Sequence, residues 1–141
     1  MNDSEELWDK RYSDNPVLNP PSEFLEEFDQ YLPTQGTCVD IAGGNGRNAL
    51  WFAKKGYTTS VIDISSVALN QATKSAQSQK VELECIYWDI EKNLLPPERT
   101  WDIALLTLFL NRGVLLTANE YLNSQGILLF AQPTKKNLER H

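Results

Sequence analysis

Short apolar runs and stretches with helical spacing follow one another along this chain. Apolar runs rich in β-branched residues predict five strands, at 37–42, 58–63, 81–88, 101–109 and 127–133. Apolar residues three and four positions apart predict helices between them, at 46–55, from Ser65 or Ser66 onward, and at 111–125, where Gly126 ends the helix. Two more helices, at 4–12 and 21–31, precede the first strand, and residues 89–100 are expected to form a loop.

This alternation of strands and helices predicts an α/β fold with a doubly wound parallel sheet. The chain has 141 residues, of which 41% are apolar and 23% charged, so a single globular domain is expected. We divide it into a helical cap at 1–35, an α/β core at 36–133 and a tail at 134–141. Ligands of such sheets bind beyond the carboxyl ends of the strands, so the functional site is expected there.

Charge and hydropathy disfavour several classes of protein. The net charge is −6 and no cluster of Lys and Arg appears, which disfavours a nucleic-acid partner. No stretch approaches the roughly 18 consecutive apolar residues of a membrane span. The acidic start "MNDSEELWDK" also lacks the apolar segment of a signal peptide. We therefore expect a cytoplasmic protein that acts on a small molecule, with neither nucleic acid nor membrane as a partner.

The single histidine and the two cysteines limit which metal sites and catalytic bases can be expected. His141 is the only histidine in the sequence, so neither a zinc site nor a histidine base is expected, and no metal is predicted. Cys38 and Cys85 lie in predicted strands and are expected to be buried thiols in a reducing compartment.

The stretch from Gly44 to Ala49, "GNGRNA", follows the first predicted strand and opens a helix. It satisfies the dinucleotide-binding fingerprint, with alanine in the last place. Asp63 ends the second strand, 19 residues past Gly44, and could accept hydrogen bonds from two ribose hydroxyls. These features fit NAD as well as other nucleotides. A turn that merely needs small residues would leave Asp63 and the strand–turn–helix context unexplained.

Further carboxylates distinguish between these nucleotides. Asp40 lies four residues before Gly44, where it would repel a pyrophosphate but suit an ammonium group. Asp89 follows the third strand and could accept from the exocyclic amine of adenine, and Asp102 begins the fourth strand. A ligand with an amino acid at one end, ribose in the middle and adenine at the other fits these carboxylates. That ligand is S-adenosylmethionine.

Four motifs in order also resemble those of class I S-adenosylmethionine-dependent methyltransferases. They are "VDIAGGNGRNALWFAKKGYTTSVIDIS", "YWDIE", "WDIALLTLFLNR" and "LNSQGILLFAQP". The opening "LWDKRY" and the tail "TKKNLERH" are similar to the small-molecule, tellurite-resistance-type branch. The resemblance implies the strand order 3-2-1-4-5, with S-adenosyl-L-methionine as cofactor and a small acceptor such as a thiol, tellurite or selenite. In that order strand two separates Cys38 from Cys85, so we predict no disulfide.

The resemblance also implies a set of site residues. Asp40 and the turn from Gly43 to Gly46 would hold the methionine end and the ribose, and Asp63 the ribose hydroxyls. Trp8 and Tyr12 would fold over the site. The implied cofactor-binding residues are Arg11 (toward the ligand's carboxylate), Tyr12, Asp40, Ala42, Gly43, Gly44, Gly46, Asn48, Asp63, Ile64, Asp89 and Ile90 (both at the adenine), and Leu106 and Thr107 (near the sulfonium). No catalytic residue is predicted.

Two departures from the family pattern leave alternatives open. Ala42 stands where the family usually has glycine, and the family continues beyond strand five with a helix and two strands. We therefore expect an open edge at strand five, self-association through that edge, and little activity unless a partner completes the site. An active methyltransferase and a binding module that works through a partner both remain open. Half of an NAD-type dehydrogenase is disfavoured by Asp40 and Asp89.

Overall fold

The core of the molecule is a five-stranded parallel sheet. The computed structural model describes residues 3–92, 96, 98–107 and 112–131. Its strands are β1 (Thr37–Ile41), β2 (Thr58–Asp63), β3 (Glu84–Tyr87), β4 (Trp101–Thr107) and β5 (Leu122–Ala131). They are hydrogen-bonded in the order β3-β2-β1-β4-β5, and each neighbouring pair is parallel. The predicted fold class and strand order are confirmed.

Six helices occur in the described part of the chain. They are α1 (Asp3–Asp14), α2 (Phe24–Phe28, followed by a 3-10 turn at Asp29–Tyr31), α3 (Arg47–Lys54), α4 (Ser66–Gln79), α5 (Arg112–Leu116) and α6 (Ala118–Tyr121). Residues of α2 and α3 pack with β1, β4 and β5 in one apolar cluster that includes Trp51. Residues of α5 and α6 pack with the same strands in another cluster, which includes Trp101. Helices therefore cover both faces of the sheet, as the doubly wound arrangement requires.

Strand β1 lies at the centre of the sheet and is buried on both faces. Cys38 and Val39, which point to opposite faces, are both fully buried. The register pairs Cys38 with Thr59 of β2 and Cys85 with Val61 of β2, so β2 separates the two cysteines. Both thiols are free, and the expected separation of the two cysteines by β2 is present. The expectation that Cys85 is buried is wrong, because it lies on the edge strand β3 and is only half-buried.

The segment between β4 and β5 differs from its prediction. A single helix was expected over 111–125, with Gly126 as its end. The structure instead has the short helices α5 and α6, and β5 already begins at Leu122. Leu122 lies opposite Trp101 and Ile127 opposite Ile103, so the intervening residues of β5 form a bulge. Gln125 has a left-handed φ of 66°, and this conformation accommodates the extra residues.

Asp102 also has a structural role rather than one at the ligand site. Its carboxylate accepts hydrogen bonds from the backbone N–H of Thr37 (2.8 Å) and from the amide of Asn123 (2.8 Å). Both partners lie near the amino ends of the strands, far from the carboxyl ends where ligands bind. Asp102 therefore ties β1, β4 and the bulge of β5 together.

Smaller corrections concern the ends of the elements. β3 covers Glu84–Tyr87 and not 81–88, because Lys80 is left-handed and the N–H of Val81 bonds back to the carbonyl of Ala76 (3.0 Å) at the end of α4. Helix α2 begins at Phe24 and not at Pro21. The predicted strand residues 108–109 and 132–133, and the tail at 134–141, lie outside the described residues.

The outer side of β5 forms an edge of the sheet within the described residues. Phe130 near its end is 45% exposed. Self-association through this edge stays a prediction. Among the described helices, none is both long and apolar enough to cross a lipid bilayer.

Candidate functional site

A cleft of about 210 Å³ opens at the carboxyl ends of the central strands, where the site was expected. It lies between the ends of β1, β2 and β4 on one side and helix α1 on the other. The structure brings many of the predicted residues together around it: Tyr12, Asp40, Ala42, Gly43, Asn48, Asp63, Ile64, Asp89, Ile90 and Thr107. Trp8 also lines the cleft.

The glycine turn presents bare backbone to the cleft. A β-carbon added at Gly43 would lie 2.6 Å from the carboxyl group of Asp40 and 2.6 Å from a methyl of Val61, so no side chain fits there. Gly44 has a φ of +63° and Gly46 a φ of +92°, conformations that favour glycine. Gly44 and Gly46 shape the turn without lining the cleft themselves.

Ala42 adopts a left-handed φ of 58° directly after β1, which is unusual for a residue with a side chain. We expect Ala42→Gly to raise the free energy of unfolding by up to about 1 kcal/mol, since it relieves left-handed strain of roughly 1–2 kcal/mol but adds freedom to the unfolded chain. Urea unfolding of the two proteins measures this difference. A variant less stable than the parent would show that the methyl group contributes more through packing than it costs in strain.

Asp63 holds the turn together from the end of β2. One carboxylate oxygen accepts from the N–H of Gly44 (2.8 Å) and the other from the N–H of Ser65 (2.9 Å). Burial raises the pKa of Asp63, and these backbone hydrogen bonds counteract part of the rise. The carboxylate still has free lone pairs, because each oxygen can accept more than one hydrogen bond.

Asp40 is the most deeply buried carboxyl group that lines the cleft, with 1% of its surface exposed. Its Oδ1 atom is buried without a hydrogen-bond partner in the described part of the chain. Burial raises the pKa of Asp40 to about 7; the nearby carboxylate of Asp63 adds to the rise, and Arg47 lowers it. A buried acceptor without a partner is rare in folded proteins and marks a place where a donor from a ligand would be favourable.

The segment after β3 forms another wall. Ile90 is buried in the apolar cluster that contains Val39 and Ile62. The carboxylate of Asp89 is half-buried and accepts from the N–H of Glu91 (3.0 Å). The N–H of Trp88 bonds to the carbonyl of Asp63 (3.1 Å), which fixes this wall to the end of β2.

Helix α1 covers the cleft and is attached to the body by polar contacts. Asp9 accepts from the hydroxyl of Ser65 (2.6 Å), at the start of α4, and Gln71 donates to the carbonyl of Tyr12 (3.0 Å). Near the other end of α1, Tyr87 donates to Glu5 (2.8 Å). The hydroxyl of Tyr12 lies against Gly44, where it would collide with an added β-carbon.

The Tyr12 hydroxyl stays protonated near neutral pH. Burial raises the pKa of Tyr12 to about 12, and the negative charges of Asp63 and Asp40 add to the rise. Tyr12 is therefore a hydrogen-bond donor at the cleft.

Two predicted residues lie elsewhere. Arg11 is exposed, and its guanidinium lies 4.8 Å from the centre of the Trp8 ring. Trp8 and Tyr12, which are four residues apart, both line the cleft, whereas Arg11 is not among the residues that line it. Leu106 is fully buried in the apolar cluster around Val39 and does not line the cleft.

The cleft also contains residues that were not predicted: Ser4, Arg47, Ile62, Trp88 and Glu91. Arg47 is the informative one, because it brings a positive charge to a cleft that otherwise carries carboxylates. The dinucleotide-binding fingerprint allows any residue at position 47. An arginine directly after the glycine turn could nevertheless have indicated a positive charge at the site. Among the described residues, no group of three or more potential ligands is close enough to hold a metal ion.

The chain is similar to proteins of one family. A family model described as a methyltransferase domain matches residues 38–122. Among curated proteins, no sequence matches.

Solved structures share the fold at low sequence identity. TehB from Haemophilus influenzae is 18% identical, with a TM-score of 0.67, and the match covers 87% of this chain and 44% of that one. A methyltransferase from Thiobacillus denitrificans in complex with S-adenosyl-L-homocysteine is 20% identical, with a TM-score of 0.67 and coverages of 88% and 54%. Phosphoethanolamine N-methyltransferase 1 from Haemonchus contortus is 20% identical, with a TM-score of 0.72, and the match covers 96% of this chain and 33% of that one. The chain thus spans about half the length, or less, of these structures.

Proposed function

Because the chain belongs to the methyltransferase domain family, we propose that it transfers a methyl group from S-adenosylmethionine to a small-molecule acceptor. The observation that carries the proposal is Asp40: a buried carboxyl oxygen without a partner, beside a glycine turn with no room for a side chain. A phosphate would be repelled there, whereas an ammonium group would supply the missing donor.

The other residues of the cleft fit the remaining parts of this cofactor. Asp63 would accept from the ribose hydroxyls with the lone pairs that Gly44 and Ser65 leave free. Asp89 and the backbone of Ile90 would hold adenine against the apolar wall after β3. When bound, the cofactor supplies a methyl group activated by its positively charged sulfur.

The contribution of the chain itself is to position the reactants and exclude water. Trp8 and Tyr12 on α1 cover the cleft, and Gly43 allows the backbone to approach the ligand closely. A soft acceptor such as a thiol, or reduced tellurite or selenite, needs little proton transfer, which suits a cleft whose described lining includes no histidine. The resemblance to the tellurite-resistance-type branch also supports this acceptor class.

A second candidate is a module that binds S-adenosylmethionine but turns over little by itself. The sequence analysis leaves this candidate open, and the chain spans 44% and 54% of two of the structures that it matches. A methyl-transfer assay with thiol and tellurite acceptors separates the two candidates. Turnover on the order of 1 per second would favour the enzyme, and binding without turnover would favour the module.

The proposed cofactor is tested by thermal unfolding. We expect S-adenosylhomocysteine to raise the melting temperature, because a ligand that binds only the folded state stabilises it by mass action. NAD at the same concentration is expected to have no effect, since its pyrophosphate would meet Asp40. A shift with NAD alone would contradict the proposal.

A further inference from the structure

Helix α1 covers the cleft but buries little apolar surface of its own. Leu7 is 48% exposed and Trp8 is 39% exposed, and Tyr12 is half-buried. An element with few buried apolar contacts can open locally at a low cost in free energy, whereas core strands open only when the whole fold unfolds. Opening of α1 would therefore break its polar contacts and leave the two apolar clusters of the core intact.

The cleft beneath α1 is smaller than most sites for small molecules. Its volume is about 210 Å³, whereas such sites usually enclose about 300–1,000 Å³. Ser4, Trp8 and Tyr12 line it from the side of α1. The hydroxyl of Tyr12 lies against Gly44, so the helix closes over the glycine turn. A ligand that carries adenine, ribose and an amino acid therefore requires α1 to move outward before it can enter.

Asp9 attaches α1 to the start of α4 through two donors. Its Oδ1 atom accepts from the hydroxyl of Ser65 (2.6 Å) and, at 3.4 Å, from the backbone N–H of Val67. Hydrogen bonds to a carboxylate are stronger than those between neutral groups, and the positive end of the α4 dipole adds to the attraction. The bond from Gln71 to the carbonyl of Tyr12 (3.0 Å) joins neutral groups and is expected to be weaker.

Ser65 connects this attachment to the carboxylate that would bind the ribose. Its hydroxyl donates to Asp9, and its backbone N–H donates to Asp63 (2.9 Å). The hydroxyl oxygen also accepts from the N–H of Ala68 (3.1 Å), which fixes Ser65 as the N-cap of α4. Helix α1 is thus fastened to a residue that holds Asp63 in place.

We propose that α1 is a lid of the cleft and that Asp9 is its latch, so that the cofactor enters and leaves only when the bond between Asp9 and Ser65 opens. The inference rests on the proposed function and adds a positioning residue that is not part of the cleft lining. A latch that holds the lid closed both with and without the cofactor slows binding and release by the same factor. Removing the latch should raise both rates and leave their ratio, the dissociation constant, nearly unchanged.

Surface plasmon resonance with S-adenosylhomocysteine over the immobilised protein measures both rates. We expect Asp9→Ala to raise the association and dissociation rate constants together by roughly ten- to a hundredfold, the effect of losing a hydrogen bond to a charged group. The dissociation constant should change by less than about threefold, a small effect on the same scale. Asp9→Asn keeps an acceptor at this place and should return both rates most of the way to the wild type. Glu6→Ala removes a carboxylate from an exposed position of the same helix and is expected to keep the wild-type rates.

Amide hydrogen exchange follows the lid without any ligand. The amides of α1 should exchange faster in Asp9→Ala than in the wild type, while those of β1 and α3 keep their protection. If β1 also loses protection, the substitution has destabilised the whole fold, and Gln71→Ala then tests the lid from the side of α4. Gln71→Ala removes the bond to the carbonyl of Tyr12 and should raise both rate constants in the same direction.

The outcomes separate the latch from the function on which it rests. If the wild type does not bind S-adenosylhomocysteine, the proposed function is wrong and the lid with it. If the ligand binds and Asp9→Ala leaves both rates unchanged, the latch is wrong while the function stands. A rise in the dissociation rate alone also contradicts the latch, because Asp9 would then stabilise only the loaded protein. A parallel rise in both rates, together with faster exchange in α1, supports it.

Discussion

Asp63→Ala is expected to lower the affinity for S-adenosylhomocysteine by a factor of about ten to one hundred and fifty. This range corresponds to roughly 1.5–3 kcal/mol, the free energy of hydrogen bonds to a charged group. The carboxylate would lose its bonds to the ribose, and the turn that it holds would lose its shape. Calorimetric titration of the wild type and the variant measures the difference.

The same substitution is expected to lower the free energy of unfolding by about 2–4 kcal/mol, because the buried N–H groups of Gly44 and Ser65 lose their acceptor. Affinity must therefore be compared at a temperature where the variant is folded, as judged by circular dichroism. Asp89→Ala is the matched control, since Asp89 is only half-buried and accepts from the backbone of Glu91. It should lose less affinity and less stability. An unchanged affinity in folded Asp63→Ala would remove the ribose assignment.

The stability of the wild-type protein is expected to fall as the pH rises from about 4 to about 7, and Asp40→Asn should remove most of this fall. The pKa of Asp40 is raised from 3.8 to about 7 in the folded protein, mainly by burial. Between these values the folded state binds a proton that the unfolded state has lost, so folding weakens as protons are withdrawn. The full effect is on the order of 2–4 kcal/mol and is complete above about pH 7.

Urea unfolding at about pH 5 and about pH 8 measures this dependence. Asp102→Asn is the control, because hydrogen bonds from Thr37 and Asn123 hold the pKa of Asp102 below its usual value. A lowered pKa acts in the opposite direction, so this variant should keep the fall with rising pH. The raised pKa of Asp63 contributes in the same direction as Asp40 and leaves a smaller residual fall in Asp40→Asn. An identical profile in the wild type and Asp40→Asn would show that Asp40 is ionised at low pH.

Much of the fold could be predicted from the sequence because, at the centre of the sheet, the pattern of apolar residues agrees with the burial that the fold imposes. The run around Val39 is apolar on both faces, as a central parallel strand requires, and only Asp40 interrupts it. A glycine turn then leads into a helix, and Asp63 ends the next strand. The cleft lies where these three features meet, so the sequence indicated its place and most of its walls.

The errors arise where tertiary contacts override local pattern. Helical spacing around Val114 predicted one long helix, but the amide of Asn123 bonds to Asp102 on β4 and draws this segment into the sheet. Asp102 lies 21 residues before Asn123, so the spacing of apolar residues around Val114 could not reveal this contact. Arg47 lines the cleft and was missed because the dinucleotide fingerprint leaves its position open. Helical spacing relates Trp8 to Tyr12 but does not say which face is covered.

The positions of the four tryptophans make intrinsic fluorescence sensitive to both the cleft and the packing of the core. Trp8 and Trp88 line the cleft, whereas Trp51 and Trp101 lie in the two apolar clusters, with 8% and 1% of their surfaces exposed. Indole emission depends on the polarity of its surroundings and on contact with other rings. Fluorescence from the first pair therefore follows what occupies the cleft, and fluorescence from the second pair follows whether the sheet and its helices remain packed. Replacing Trp8 and Trp88 by phenylalanine would leave an emission that reports only on packing, and the difference from the wild type would report on the cleft.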